Sequence, residues 1–448
     1  MKERHDSTER HVRSSSRGVY LSYMDRIVVH KSGPLSGSVD VPGAKNSVLK
    51  LMVASLYAEG RHELTNVPGI SDVDTMGRLL GSLGVEVRHH PDKPDSLCLD
   101  NTGDLRTQAP SELVESIRAS INLLGPLLAC RGRVRLDLPG GDDFGGRPID
   151  MHIAGLSAMG VEFDPAHDYI EARADRLHGA DIVLDFPSVG ATENLVTAAV
   201  HAEGSTTIRN AAREPEIADL CTMLSEMGAR ISGIGSTTLT IDGVPRGSLS
   251  PVSHAVVGDR IQAATYLAAV AVAGGDVTVT GSSAQHMEVL LRRMHEMGPE
   301  ITAVPGGVRI ESDGYLRAVD VQTLPYPGIG TDYKPLLVTM LAVAEGIGIV
   351  TENLYPGRFR YVEELSKLGA DIRTDGHHAI IRGVSGLRGA AVSAPDIRAG
   401  AALVVAGLTA EGRTIISGVE HIDRGYDDIV GRLRGIGAVV ERTSIDIA

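Results

Sequence analysis

Leu83-Gly84-Val85-Glu86-Val87 is a phrase that returns five more times along the chain. The other copies are Met159-Gly160-Val161-Glu162-Phe163, Met227-Gly228-Ala229-Arg230-Ile231, Met297-Gly298-Pro299-Glu300-Ile301, Leu368-Gly369-Ala370-Asp371-Ile372 and Ile436-Gly437-Ala438-Val439-Val440. In each, an amphipathic segment ends on an apolar residue and a glycine, and an apolar/polar alternation follows. Glycine just past a helix end takes the left-handed conformation that stops it, so each copy reads as helix, stop, strand. A second phrase keeps the same period of about 70 residues. Apolar segments end at Glu59-Gly60, Arg131-Gly132, Glu203-Gly204, Gly274-Gly275, Glu345-Gly346 and Glu411-Gly412, before β-rich stretches such as Thr206-Thr207-Ile208.

Each unit therefore holds two helices and several strands. The first helix is apolar on every side, as in Ala401-Ala402-Leu403-Val404-Val405-Ala406, which predicts complete burial. The second carries a charged face, as in Val362-Glu363-Glu364-Leu365-Ser366-Lys367-Leu368, which predicts contact with water. Solenoid periods run roughly 20–50 residues, shorter than this one. Six units in two sets of three predict a two-lobed α/β protein with its ligand cleft between the lobes.

Composition agrees. The 448 residues suffice for about two domains, and 42% hydrophobic with 22% charged residues is ordinary for a soluble globular chain. With no Trp and only 4 Phe, the cores must be aliphatic. No apolar run reaches the roughly 18 residues of a membrane helix. The first 23 residues lack the apolar stretch of a signal peptide and read as a disordered tail. Cys98, Cys130 and Cys221 follow no metal spacing and read as reduced thiols of a cytoplasmic protein. A net charge of −14 argues against nucleic acid but leaves room for small anions held by a few arginines.

One loop stands apart: Leu138-Pro139-Gly140-Gly141-Asp142-Asp143-Phe144-Gly145-Gly146-Arg147-Pro148-Ile149-Asp150-Met151-His152. Two acids between glycine pairs read either as a surface turn or as a lid that carries a proton into a closing cleft.

Gly43-Ala44-Lys45-Asn46-Ser47, this loop and His421-Ile422-Asp423-Arg424-Gly425-Tyr426 resemble the enolpyruvyl transferase family. So do Phe186-Pro187-Ser188-Val189-Gly190-Ala191-Thr192, Asn210-Ala211-Ala212-Arg213-Glu214-Pro215-Glu216 and Asp396-Ile397-Arg398-Ala399-Gly400, so the resemblance runs from about Met24 to the C-terminus. It implies a fold of two inverse α/β barrel domains of three repeats each. One lobe would take 24–44 plus 257–448 and the other 45–256, with 1–23 as a tail. It implies transfer of enolpyruvate from phosphoenolpyruvate to a uridine nucleotide, foremost the 3-hydroxyl of UDP-N-acetylglucosamine in peptidoglycan precursor synthesis. No metal, organic cofactor or protein partner is implied.

The same resemblance implies residue roles. Lys45, Asn46, Arg118, Arg147, Arg398 and Arg424 would hold phosphoenolpyruvate, whose phosphate and carboxylate suit guanidinium groups. The uridine nucleotide would meet Asn46, Arg118, Arg147, Pro148, Ile149, Asp150, Met151, His152, Ser188, Val189, Gly190, Asp332 and Leu354. Lys45, Arg424, Asp142 and Asp332 would carry the chemistry. Asp142 stands where many members have a cysteine as general acid, which predicts resistance to the alkylating drug fosfomycin. Asp332 would be the base or orienter of the acceptor hydroxyl. Plainer readings stand beside these: Lys45 as an exposed loop lysine, the arginines as surface ion pairs, His152 as a structural histidine and Asp332 as a helix N-cap.

Three segments depart from the family's usual phrasing: Asp142-Asp143-Phe144-Gly145, Gly328-Ile329-Gly330-Thr331-Asp332-Tyr333-Lys334 and Asn353-Leu354-Tyr355-Pro356-Gly357-Arg358-Phe359. All three are expected on the acceptor side. They open a second reading, a paralogue that acts on UMP or a related nucleotide in nucleoside-antibiotic synthesis. A third is a silent sugar-nucleotide-binding regulator, which would have no use for a full phosphoenolpyruvate site.

Overall fold

In a computed structural model, described over residues 22–141, 148–164 and 169–447, the two ends of the chain lie side by side. Strand Ser22–His30 pairs antiparallel with both Arg413–Ser417 and Val440–Ile447. Ser22 and Tyr23, expected in the tail, belong to this strand and pair with Ile447 and Asp446. The rest of that expected tail lies outside the described residues.

The strands form six sheets among the described residues, five of four strands and one of three. The glycines that close the first recurring phrase all adopt left-handed backbone, with Gly84 at φ 107° ending helix Ser71–Leu83 and Gly228 at φ 114° ending helix Pro215–Met227.

Two kinds of helix follow, as the apolar patterns predict. Lys45–Ala54, Leu124–Arg131, Val189–Ala199, Arg260–Ala273, Lys334–Ala342 and Ile397–Gly407 are walled in; every residue of Ile397–Gly407 is buried. In Tyr361–Lys367, by contrast, only Tyr361, Val362 and Leu365 are buried, and the acidic face meets water. Small residues let the walled-in helices cross closely. A Cβ on Gly125 would stand 2.4 Å from Thr197 Oγ1 and 2.5 Å from the Asn194 carbonyl oxygen.

Buried apolar side chains gather into two cores. One runs from Val48 to Val256; the other joins Ile27–Val41 to Ile261–Val440. The chain passes between them twice, and the two crossings are bonded to each other. Gly43 bridges Gly258, Ala44 N donates to the Val257 carbonyl (2.7 Å), and Asp259 N donates to that of Pro42 (2.9 Å). No helix among the described residues is long and apolar enough to cross a membrane.

Candidate functional site

Several of the candidate side chains converge beside these crossings. Ala44 has no side chain with which to cap helix Lys45–Ala54, and the cap comes from the other core. Asp259 accepts from Ile261 N (2.8 Å) and Gln262 N (3.0 Å) at its own helix and from Lys45 N (3.3 Å) at the neighbouring one. One carboxylate thus satisfies backbone donors of two helix N-termini, where the dipole also favours it.

Lys45 is buried, not an exposed loop lysine. Its Nζ lies 2.7 Å from Asp72 Oδ2, and Asp72 Oδ1 receives Arg424 Nε at 2.9 Å. Burial lowers the Lys45 ammonium to about 8; Asp72 opposes the shift, while Arg424 and Arg398 add to it. Burial pushes the Asp72 carboxyl up, but Lys45 and Arg424 outweigh it and hold the group below its ordinary value. Asp423, the sequence neighbour of Arg424, binds Arg442 instead (2.7 Å).

Asp332 lies in the short turn Thr331–Tyr333, and its side chain does not cap a helix. It accepts from Arg358 Nη1 at 2.6 Å and Arg398 Nε at 3.3 Å. The N-cap reading fails because two buried guanidinium groups claim this carboxylate. Burial alone would raise it, yet Arg358 and Arg398 hold it well below the usual carboxylate range.

Two of the departing segments meet behind Asp332. Lys334 Nζ sits 2.8 Å from Glu352 Oε2, both wholly buried, and 3.9 Å above the Phe359 ring. Glu352 also accepts from Thr331 Oγ1 (2.7 Å), Leu354 N (2.8 Å) and Tyr355 N (3.0 Å), so it fixes the turn that carries Leu354. Arg260 joins the two cores here, pairing with Glu216 (3.0 Å) and donating to Tyr333 OH (2.9 Å).

A second group forms on the core that contains Val48–Val256. Arg118 opens the turn Arg118–Leu123 and donates from Nη1 to the Pro139 carbonyl (3.4 Å), at the foot of the acidic loop. A Cβ on Gly140 would lie 1.6 Å from the Glu115 carbonyl oxygen, so this glycine is there for close approach. Asp142, Asp143, Phe144, Gly145, Gly146 and Arg147 lie outside the described residues. Beyond them Pro148 and Asp150 are exposed, Ile149 and Met151 half-buried, and His152 buried.

His152 is held by Asn194, whose orientation is fixed because its Oδ1 accepts from Gly125 N at 2.8 Å. The Asn194 amide nitrogen therefore donates to His152 Nδ1 (3.0 Å), and the ring's remaining proton sits on Nε2. Burial, and then Arg118, lower His152 to about 4, which keeps it neutral. A Cβ on Gly190 would lie 3.2 Å from that Nε2, so the ring faces the start of helix Val189–Ala199. Ser188 caps this helix by accepting from Ala191 N (3.3 Å).

The structure thus gathers Lys45, Asp332, Arg398 and Arg424 at one centre and Arg118, His152 and Ser188–Gly190 at another. Sequence reasoning missed Asp72, Arg358, Glu352 and the Glu216–Arg260 pair. The one available signal was that so many buried cations require carboxylates. Among the described residues no group of three His, Cys, Asp or Glu is arranged to hold a metal. Burial pushes the Cys130 and Cys221 thiols up to about 12, so neither is a reactive thiolate.

Residues 29–433 match the family model of EPSP synthase (3-phosphoshikimate 1-carboxyvinyltransferase). A UDP-N-acetylglucosamine 1-carboxyvinyltransferase of Mycolicibacterium paratuberculosis is 49% identical over 418 residues, covering 93% of this chain and 99% of that protein. The protein of the same name from Corynebacterium jeikeium is 48% identical over 418 residues, with the same coverage of 93% and 99%. In fold, the chain is similar to the enolpyruvyl transferase NikO from Streptomyces tendae, with a TM-score of 0.85 at 24% identity over 94% of this chain and 99% of that one. It is also similar to an EPSP synthase from Acinetobacter baumannii, with a TM-score of 0.71 at 19% identity over 94% and 100%.

Proposed function

The chain belongs to the EPSP synthase family and is an enolpyruvyl transferase, and from that premise we propose that it transfers enolpyruvate from phosphoenolpyruvate to the 3-hydroxyl of UDP-N-acetylglucosamine, releasing phosphate. The observation that carries this reading is a convergence of cations. Lys45, Arg358, Arg398 and Arg424 are brought together around Asp72 and Asp332, an arrangement suited to a small, multiply charged anion.

In this mechanism Lys45, Arg118, Arg147, Arg398 and Arg424 hold phosphoenolpyruvate. Asn46, Arg118, Arg147, the 148–152 segment, Ser188–Gly190, Asp332 and Leu354 hold the nucleotide. Asp142 protonates C3 of phosphoenolpyruvate as the acceptor oxygen bonds to C2. The tetrahedral intermediate then returns a C3 proton to the Asp142 carboxylate as the C2–O bond to phosphate breaks, and the departing phosphate takes up the proton given by the acceptor hydroxyl. Asp332, held ionised by Arg358 and Arg398, is a weak base and serves to orient the hydroxyl. The two cores support a division into 24–44 plus 257–448 and 45–256, and the three free cysteines support a cytoplasmic enzyme.

One observation favours UMP as the acceptor instead: two segments unusual for the family lock together through Lys334 and Glu352 beside Asp332. Phosphate release with each acceptor in turn decides. Turnover with UDP-N-acetylglucosamine alone upholds the first reading, and turnover with UMP alone replaces it. Tight nucleotide binding without release would refute both and support a silent binder.

A further inference from the structure

Glu193 lies in the middle of helix Val189–Ala199, 3% exposed, where an ionised side chain is costly to bury. Lys50 Nζ stands 3.1 Å from its Oε1; burial raises the carboxyl, and Lys50 and then Asn122 favour its ionised form. The same Lys50 ammonium donates to the Asn46 carbonyl. Glu193 is therefore the junction of three elements. Helix Lys45–Ala54 begins with Lys45 and Asn46, turn Arg118–Leu123 begins with Arg118, and Glu193's own helix begins just after Ser188.

Asn194, the next residue, extends the junction. It accepts from Gly125 N (2.8 Å) and donates to His152 (3.0 Å) and to the Ile121 carbonyl (3.2 Å). Each element so tied presents a candidate ligand residue.

We propose that Lys50, Glu193 and Asn194 are positioning residues that set Asn46, Arg118, His152 and the Ser188–Gly190 turn in one register for the uridine nucleotide. The proposal rests on the nucleotide reading above. Stability does not explain the ion pair, because apolar side chains of similar size are generally as good in a core as a buried salt bridge. Fixed geometry does explain it. A buried ion pair specifies which two side chains must face each other, which apolar packing does not.

The test replaces the pair with apolar side chains, K50M/E193L, alongside the charge-conserving K50R. Thermal midpoint, kcat, and KM for UDP-N-acetylglucosamine and phosphoenolpyruvate are measured for all three proteins, with nucleotide binding measured separately by calorimetry. We expect the double variant to melt within a few degrees of wild type while its nucleotide KM and dissociation constant rise about tenfold. The phosphoenolpyruvate KM should change less, and K50R should stay within about threefold of wild type. Wild-type constants in the double variant would overturn the proposal, as would an equal loss in K50R. Equal rises in both KM values would do the same. Failure of the underlying reading shows differently: wild type itself would neither release phosphate with this nucleotide nor bind it.

Discussion

Replacing Asp72 with Asn tests the electrostatic account of the Lys45 centre. Lys45 is brought to about 8 by burial, with Arg424 and Arg398 pushing the same way and Asp72 opposing them. Loss of an opposite charge at 2.7 Å removes about one to three units of support, so Lys45 should fall from about 8 to between about 5 and 7. The ammonium is charged below its pKa, so anion binding is present at low pH and is lost as pH rises through that value. At pH 7 wild-type Lys45 is about 90% charged, and a variant near 6 only about 10%. The expected result is about a tenfold fall in kcat/KM for phosphoenolpyruvate at pH 7. Asp72 also competes with substrate for Lys45 and Arg424, so the deficit of the variant should shrink steadily as pH falls toward about 5.5. A phosphate-release assay from pH 5.5 to 9 reads both effects, because kcat/KM reports groups of the free enzyme. An alkaline midpoint that stays near 8 in the variant, or moves up, would refute the reasoning.

Asp332→Asn should lower kcat by about 10²-fold, the cost of a misplaced acceptor hydroxyl. Because Arg358 and Arg398 hold the wild-type carboxyl well below its ordinary value, wild-type kcat/KM should show no acid limb from this group above pH about 4; a limb abolished by the substitution would contradict that. Fosfomycin should leave the mass of the wild-type protein unchanged, since residue 142 is an aspartate, while Asp142→Cys should acquire a covalent adduct. Gly125→Ala should destabilise the protein by about 1–3 kcal/mol, from a Cβ forced within 2.4 Å of Thr197 Oγ1. Calorimetry showing an unchanged melting temperature would mean the two helices can move apart.

Local chemistry made much of the fold legible. Gly84 and Gly228 were readable as helix stops because a left-handed residue is needed where an amphipathic segment meets a strand. The burial of Ile397–Gly407 was readable because no face of it is polar. The cations Lys45, Arg398 and Arg424 followed from short motifs. Their carboxylates did not, because the pairing is not local. Asp72 meets Arg424 across a separation of 352 residues, and nothing in Ser71-Asp72-Val73-Asp74 marks the second residue over the fourth. Arg358 escaped for a related reason: its turn departs from the family's phrasing, and only Glu352 and Lys334 behind it explain how that turn holds its shape. Glu193 falls in a helix expected to be walled in, and nothing local shows that Lys50 would meet it there.

The pairing of Ser22–His30 with Val440–Ile447 has a consequence for the order of events at the ribosome. Most of the described residues separate these partners, so strand Ser22–His30 has no complete pairing until Val440–Ile447 has been made. The core from Val48 to Val256 faces no such delay, since all its members are made in one continuous stretch. It can consolidate while its companion is still being translated. The companion core is the late and vulnerable one, with a strand edge waiting unpaired through most of synthesis. A chain stopped short of Val440 would keep a complete first core and a permanently open edge, and aggregation of such fragments should begin there.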